Sequence, residues 1–213
     1  MWPILLLILS GLSVFLGSPA TDYEAAIRTY RENKLDSARF HVDRAIAHYQ
    51  AEGKTDSIVL SRVQKALIIW EVEGLDAAFR SMDSTLKMAE QLPVRHAGRV
   101  AAYSRMGQLH MYRHEFRSAV DFFYHAENAI AQQKDPHTVA LYNHMAVMSL
   151  MQEDYPSARR HIDRAYALNM EVEGPDGATM PMILQTRFFI SRYSEDFKQA
   201  LQDGEEYQRV TRL

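Results

Sequence analysis

Small residues recur along the chain about every forty positions, each within a run whose apolar residues follow a helical period. Successive small residues are separated by 39 to 42 positions. The residues four and seven positions further on share a helical face with them, because 3.6 residues make one turn. The five small residues are Ala38, Ala78, Ala119, Ala158 and Ala200. The pattern predicts five similar helices, one in each of five repeats.

A position twelve residues before each of these alanines predicts a partner helix. It holds a small residue in four of the five repeats, where a neighbouring helix would cross closely, and Phe188 in the fifth. A short polar break, such as Gln152 to Asp154 in the fourth repeat, separates this position from the second helix. Each repeat is therefore predicted to be a helix–turn–helix pair.

Glycine and proline mark the ends of the repeats, as they commonly do at turns. The repeats are predicted at about residues 22–55, 56–93, 95–136, 138–176 and 178–213. The fifth repeat departs from the pattern. Phe188 replaces a small residue, Gly204 replaces an apolar one and Tyr207 replaces a second small one. We expect the packing of this last repeat to be less regular.

The first twenty residues differ from the rest of the chain, since they carry no charged side chain and form an apolar run. Ser18 and Ala20 have the small size and the spacing that a signal peptidase requires. The run is shorter than the roughly 20 residues that cross a hydrocarbon core. Residues 1–20 are predicted to be a signal peptide, followed by a repeat domain over residues 21–213. The protein is then exported, periplasmic or secreted; an uncleaved N-terminal anchor, which would hold it at a membrane, is the alternative.

Charge and cysteine content exclude several classes of function. The chain has 24 lysines and arginines against 27 acidic residues, a net charge of -3. Such a chain has no broad basic field, so a nucleic-acid partner is not expected. The sequence has no cysteine, which excludes disulfides, thiol catalysis and cysteine-ligated metal.

Candidate chemistry is sparse. His110 and His114 lie four residues apart in a predicted helix and could face one metal ion, but no third ligand stands at a diagnostic spacing. The sequence has no glycine-rich phosphate loop, nucleophile elbow or paired-carboxylate motif. We expect neither enzyme activity nor a bound metal or cofactor.

The repeat pattern resembles that of tetratricopeptide repeats (TPRs). The pattern is a small residue, a turn about eight positions later, an aromatic or leucine, and then Ala-x3-apolar-x2-Ala; segments such as DYPSARRHIDRAYAL contain its second half. The period near 40 is similar to the longer variety found in kinesin light chains and bacterial sensor proteins. The resemblance implies an all-α fold, a right-handed α-solenoid of about five TPR-like helix pairs following the N-terminal signal segment.

The same resemblance implies a binding surface. In TPR arrays the first helices of successive repeats line a concave groove that receives a peptide or a helix of a partner protein. The groove residues implied here are Trp70, Arg105, Gln108, Tyr112, Asn143, His144, Phe189 and Arg192. Asn143 stands where family members use an amide to hold a peptide backbone.

Two functions follow as hypotheses. The preferred one is an exported scaffold that binds another protein or peptide in this groove, without catalysis. The alternative is the extracytoplasmic input region of a bacterial signalling protein, a histidine kinase or regulator, truncated before its output domain. Self-association through the last repeat is compatible with both.

Overall fold

The structure, a computed structural model, describes residues 18–130 and 135–211 of the chain. Ten helices account for 82% of these residues, and no strand occurs among them. Residues 1–17 of the predicted signal segment lie outside the described residues. Its last residues are described: Ser18 is the N-cap of the first helix and accepts a hydrogen bond from the backbone N–H of Thr21.

The helices follow one another in pairs. In chain order they are α1 (Pro19–Arg31), α2 (Leu35–Ala51), α3 (Thr55–Glu73), α4 (Leu75–Ala89), α5 (Ala97–Tyr112), α6 (Phe116–Asn128), α7 (Pro136–Met151), α8 (Tyr155–Val172), α9 (Met180–Tyr193) and α10 (Phe197–Thr211). Each predicted repeat contains one pair. The chain divides into two compact units, residues 1–88 and residues 89–213.

The turn inside the helix pair has one backbone geometry in four repeats. Its middle residue lies in the left-handed region, with φ between 57° and 64°. The backbone N–H of the residue after it donates a hydrogen bond to the carbonyl oxygen five positions before that donor. This bond closes the helix end as a Schellman motif. The middle residues are Asn33, His114, Glu153 and Glu195. In the second repeat Gly74 alone joins the helices, at φ 90°.

The earlier repeating position faces the residue four positions after the repeating alanine, as the contacts of the third and fifth repeats show. In the first, second and fourth repeats the residue at the earlier position is a fully buried alanine. In the third repeat Gly107 lies under the ring of Phe123, which is itself buried. In the fifth the sizes are reversed, since Phe188 lies over Gly204. The fifth repeat therefore keeps its helix pair by exchanging the large and small partners.

This exchange predicts opposite effects for two glycine-to-alanine substitutions. A Cβ atom at residue 107 would lie 2.5 Å from Cε1 of Phe123, too close for a buried ring to yield. At residue 204 the nearest ring atom of Phe188 is at 3.4 Å, an ordinary contact. We expect Gly107→Ala to lower the free energy of unfolding by about 1–3 kcal/mol. Gly204→Ala should raise it by about 0.5–1 kcal/mol, the gain of alanine over glycine inside a helix.

Urea unfolding followed by circular dichroism measures both changes. The double variant Gly107→Ala/Phe123→Leu is the matched control, because a smaller side chain at 123 makes room for the new methyl group. Adding Gly107→Ala to the Phe123→Leu variant should lower the free energy of unfolding by less than adding it to the natural protein does. Equal losses in the two backgrounds would contradict the packing described here.

Candidate functional site

The second unit carries a row of exposed apolar side chains on its first helices. Helix α7 packs against both α5 and α9. Seven residues before the repeating alanine, these helices expose Tyr112, Met151 and Tyr193. One turn earlier stand Gln108, Val147 and Phe189, of which Phe189 is exposed. We call these six residues the first-helix row.

The row is a property of the second unit. The residues at the Tyr112 position in the first unit are Arg31 and Glu71, both exposed and both charged. Tyr112, Phe189 and Tyr193 expose 45%, 38% and 58% of their surface. Large aromatic side chains that repeat in one register on neighbouring helices are a feature of interaction surfaces, whereas isolated exposed apolar residues need no explanation.

Seven of the eight groove residues implied by the sequence lie in this unit. Arg105, Gln108 and Tyr112 are on α5, Asn143 and His144 on α7, and Phe189 and Arg192 on α9. Trp70 lies on α3 in the first unit and is partly buried. The assignment of the eight residues to a partner groove stays a prediction, and their surroundings differ from one another.

His144 is enclosed between helices. Its side chain is 6% exposed, its Nδ1 lies 3.0 Å from Oγ of Ser104 on α5, and its ring stacks on that of Phe123. Burial lowers the pKa of His144 to about 3, and the positive charge of Arg105 acts in the same direction. The ring is therefore neutral near pH 7. In this structure His144 joins α5 to α7.

A second histidine and two polar side chains extend this cluster. Burial lowers the pKa of His137; the carboxylate of Asp135 opposes the shift and the charge of Arg105 adds to it. A guanidinium nitrogen of Arg105 donates to Oε1 of Gln108. The Arg105 charge thus lies close to two neutral imidazoles, an arrangement that disfavours a proton on either ring.

Asn143 has an unusual environment. The residue is only 3% exposed, and its Oδ1 accepts no hydrogen bond from the described residues. Leaving a buried amide oxygen without a donor costs about 1–3 kcal/mol. The enclosed oxygen is out of reach of a partner at the surface, and a binding role for Asn143 stays a prediction.

The aromatic side chains of α9 form a stack at the end of the row. The rings of Phe189 and Tyr193 lie 6.3 Å apart and nearly parallel, and the edge of Phe188 meets Phe189. The guanidinium of Arg192 lies over the ring of Phe197, the first residue of α10. Arg192 is therefore engaged with the second helix of its own repeat.

Met151 and Tyr193 belong to the row but are missing from the sequence-based set. Both stand seven residues before a repeating alanine, in the register of Tyr112. A comparison of that register across the repeats would have found them. The burial of Asn143 and His144 has no such signal, because their neighbours come from another helix.

The histidine pair considered for metal binding is engaged elsewhere. Nδ1 of His110 lies 2.5 Å from a carboxylate oxygen of Glu115, and its ring stacks on Phe122. The ring of His114 meets the edge of Phe116. Among the described residues no group of three histidine or acidic side chains is arranged to hold a metal ion.

Comparison with solved structures identifies the fold. Over 90% of its length the chain resembles the nearly identical TPR-like repeats of a Podosopora anserina protein assigned as a kinesin light chain, with 93% of that chain covered, a TM-score of 0.57 and 12% identity. A second structure of these repeats has a TM-score of 0.55, covers 90% of this chain and 94% of the other, and is also 12% identical. The predicted all-α array of TPR-like helix pairs is confirmed.

A third solved structure shows the same likeness. BtubC (BKLC) from P. vanneervenii is 15% identical to the chain, with a TM-score of 0.61 and coverage of 94% of this chain and 91% of the other. No family model matches the chain, and no curated protein sequence does. The chain thus has the TPR-like repeat fold.

None of the described helices combines the length and the apolar character required to span a bilayer.

Proposed function

We propose that the protein is an exported scaffold that binds a peptide or helix of a partner protein along the first-helix row of its second unit. The observation that supports this most directly is the exposure of Tyr112, Met151, Phe189 and Tyr193 in one register on helices that pack side by side. The export is proposed on the apolar, uncharged character of residues 1–20 alone.

The chemistry of the row indicates the kind of partner. Aromatic side chains are frequent energetic centres of interfaces, since they bury a large area at a small entropic cost. Neighbouring helix axes lie about 8–10 Å apart, and three residues of an extended chain span about the same distance. An extended segment with an apolar residue at about every third position therefore fits the row. The net charge of -3 gives no support to a nucleic-acid partner.

Site-specific photo-crosslinking in the natural host tests this proposal. We expect a benzophenone amino acid at Tyr112 or Phe189 to give a crosslinked adduct with one partner polypeptide. Tyr124, which is 63% exposed on the second helix α6, is the matched control because it is an aromatic residue outside the row and more accessible than either row position. Digestion of the adduct would identify the partner segment.

The same experiment has outcomes against the proposal. Adducts from Tyr124 but from neither row position would move the interaction to the second helices. An adduct with a second copy of the chain would replace the partner protein by self-association. N-terminal sequencing of the recovered protein tests the export: a chain that begins at Thr21 supports a cleaved signal, and one that begins at Met1 supports an anchor.

A further inference from the structure

An open cavity of about 320 Å³ lies where α7 and α9 end, beside the first-helix row. It is lined by Leu150, Met151, Glu153, Tyr155 and Tyr193. Two tyrosine rings and two aliphatic side chains form most of this lining, and Glu153 adds one carboxylate. An apolar cavity with a single charged group at its edge favours a ligand that has an apolar stem and an opposite charge.

The electrostatics of this end of the unit favour a cation. Glu153 is exposed and forms no ion pair with any described residue. The cavity adjoins the C-terminal ends of α7 and α9, where the helix dipole adds partial negative charge. The last turn of α7 has no basic residue, and the Arg192 guanidinium in α9 lies over Phe197. The N-terminus of α8, which carries partial positive charge, is capped by the carboxylate of Asp154.

We propose that this cavity binds an arginine side chain of the partner segment. The planar guanidinium stacks on a tyrosine face and donates to the carboxylate of Glu153, while its methylene groups contact Leu150 and Met151. An uncharged apolar side chain would cover Glu153 without compensating its charge, and an acidic side chain would be repelled. The inference rests on the proposed function, since it places the arginine in a segment bound along the first-helix row.

The fourth repeat alone combines a glutamate with a tyrosine at the turn positions of Glu153 and Tyr155, although the fifth has Glu195 and Phe197 there. At the positions of Glu153 and Tyr155 the third repeat has His114 and Phe116, whose rings pack edge to face and provide no carboxylate. The first repeat has Asn33 and Leu35 at these positions. These residues also define tolerated replacements, because each already occupies the same turn geometry elsewhere in the chain.

Methyl NMR on the full chain with ¹³C-labelled methionine tests the proposal with small probes. The Met151 methyl signal, assigned by its loss in Met151→Leu, reports on the cavity. We expect N-acetyl-arginine amide to shift it saturably. The neutral isostere N-acetyl-citrulline amide should bind at least about fivefold more weakly, the effect of one charged contact at a partly exposed site.

Matched variants separate the charge from the fold. Glu153→Gln should weaken arginine binding about fivefold, whereas Glu195→Gln, at the same turn position of the next repeat, should leave it within about 1.5-fold. Tyr155→Leu, the residue of the first two repeats, should weaken it about fivefold by removing one aromatic face. Equal binding of citrulline and arginine, or unchanged binding in Glu153→Gln, would overturn the inference. Crosslinking at Tyr112 and Phe189 would be unaffected, so the two proposals fail separately.

Discussion

Replacing Ala158 by glutamate is expected to unfold the second unit, with a loss of at least about 4 kcal/mol in the free energy of unfolding. Ala158 has no exposed surface and lies in a buried cluster with Tyr142, Ile162 and Ile183. A carboxylate there is too large for the helix crossing and is removed from water, so the two costs add.

The helix α8 provides a matched control. Ala167 is exposed on the same helix, so Ala167→Glu makes the same chemical change without burial. We expect it to alter the free energy of unfolding by no more than about 0.5 kcal/mol. The neighbouring Arg159 is a poorer control, because its guanidinium donates to Ser191 at 2.6 Å.

Thermal and urea unfolding followed by circular dichroism measure the difference. Should Ala158→Glu not fold at all, Ala158→Met gives a measurable version of the same effect, with an expected loss of about 1–3 kcal/mol from overpacking. If Ala158→Met, like the control Ala167→Glu, had a free energy of unfolding within about 0.5 kcal/mol of the natural protein, the close helix crossing at Ala158 would be refuted.

Acid is expected to destabilise the second unit through His144. The folded-state pKa is about 3 and the ordinary value is 6.5, so below pH 6.5 the unfolded chain binds a proton that the folded chain does not. Stability is therefore unaffected by this group above pH 6.5 and is lost as the pH falls toward 3. The slope approaches about 1.4 kcal/mol per pH unit, which gives a loss of about 3 kcal/mol between pH 6.5 and pH 4.

The variant His144→Gln isolates this contribution. Glutamine occupies the equivalent position in the second repeat, as Gln64, and does not titrate. We expect His144→Gln to be less stable than the natural protein at pH 7. Between pH 6 and pH 4 its free energy of unfolding should fall less steeply with pH, because unfolding then takes up about one proton fewer. His137→Gln should change the slope in the same direction, since burial also lowers the pKa of His137.

Urea midpoints at several pH values between 7.5 and 4 provide the measurement. Gln108→Ala is the control because it removes an uncharged member of the same cluster. Its free energy of unfolding should differ from that of the natural protein by the same amount at every pH. An unchanged slope in His144→Gln, or an NMR titration of the His144 ring near pH 6.5 in the folded state, would show that the ring is open to solvent.

The positions that repeat along the chain were predicted well because the forces behind them are local. A small residue at Ala38 or Ala158 and its apolar neighbours a turn later define a helix face in the sequence itself. The exchange of Phe188 and Gly204 is also visible in the sequence, although its meaning is not. It becomes a compensating pair only when the two residues are seen in contact.

Buried polar residues were not predicted, because their partners are distant in sequence. Asp203 is 1% exposed on α10, where it pairs with Arg187 at 3.0 Å and accepts a hydrogen bond from Ser191. Asp22 is similarly enclosed on α1, 3.3 Å from Arg44. In the sequence both carboxylates resemble ordinary solvated helix residues. Their burial depends on the neighbouring helix that supplies the arginine.

The sequence by itself determined the all-α class, the helix pairs and the positions at which helices cross, because helical periodicity and side-chain size are encoded residue by residue. The tertiary structure decided which polar side chains are enclosed and which apolar ones stay exposed. The contact between Ser104 and His144 joins residues forty positions apart. The cavity between Tyr155 and Tyr193 likewise exists only where two helix ends meet, since packing between elements, and not local pattern, decides what water can reach.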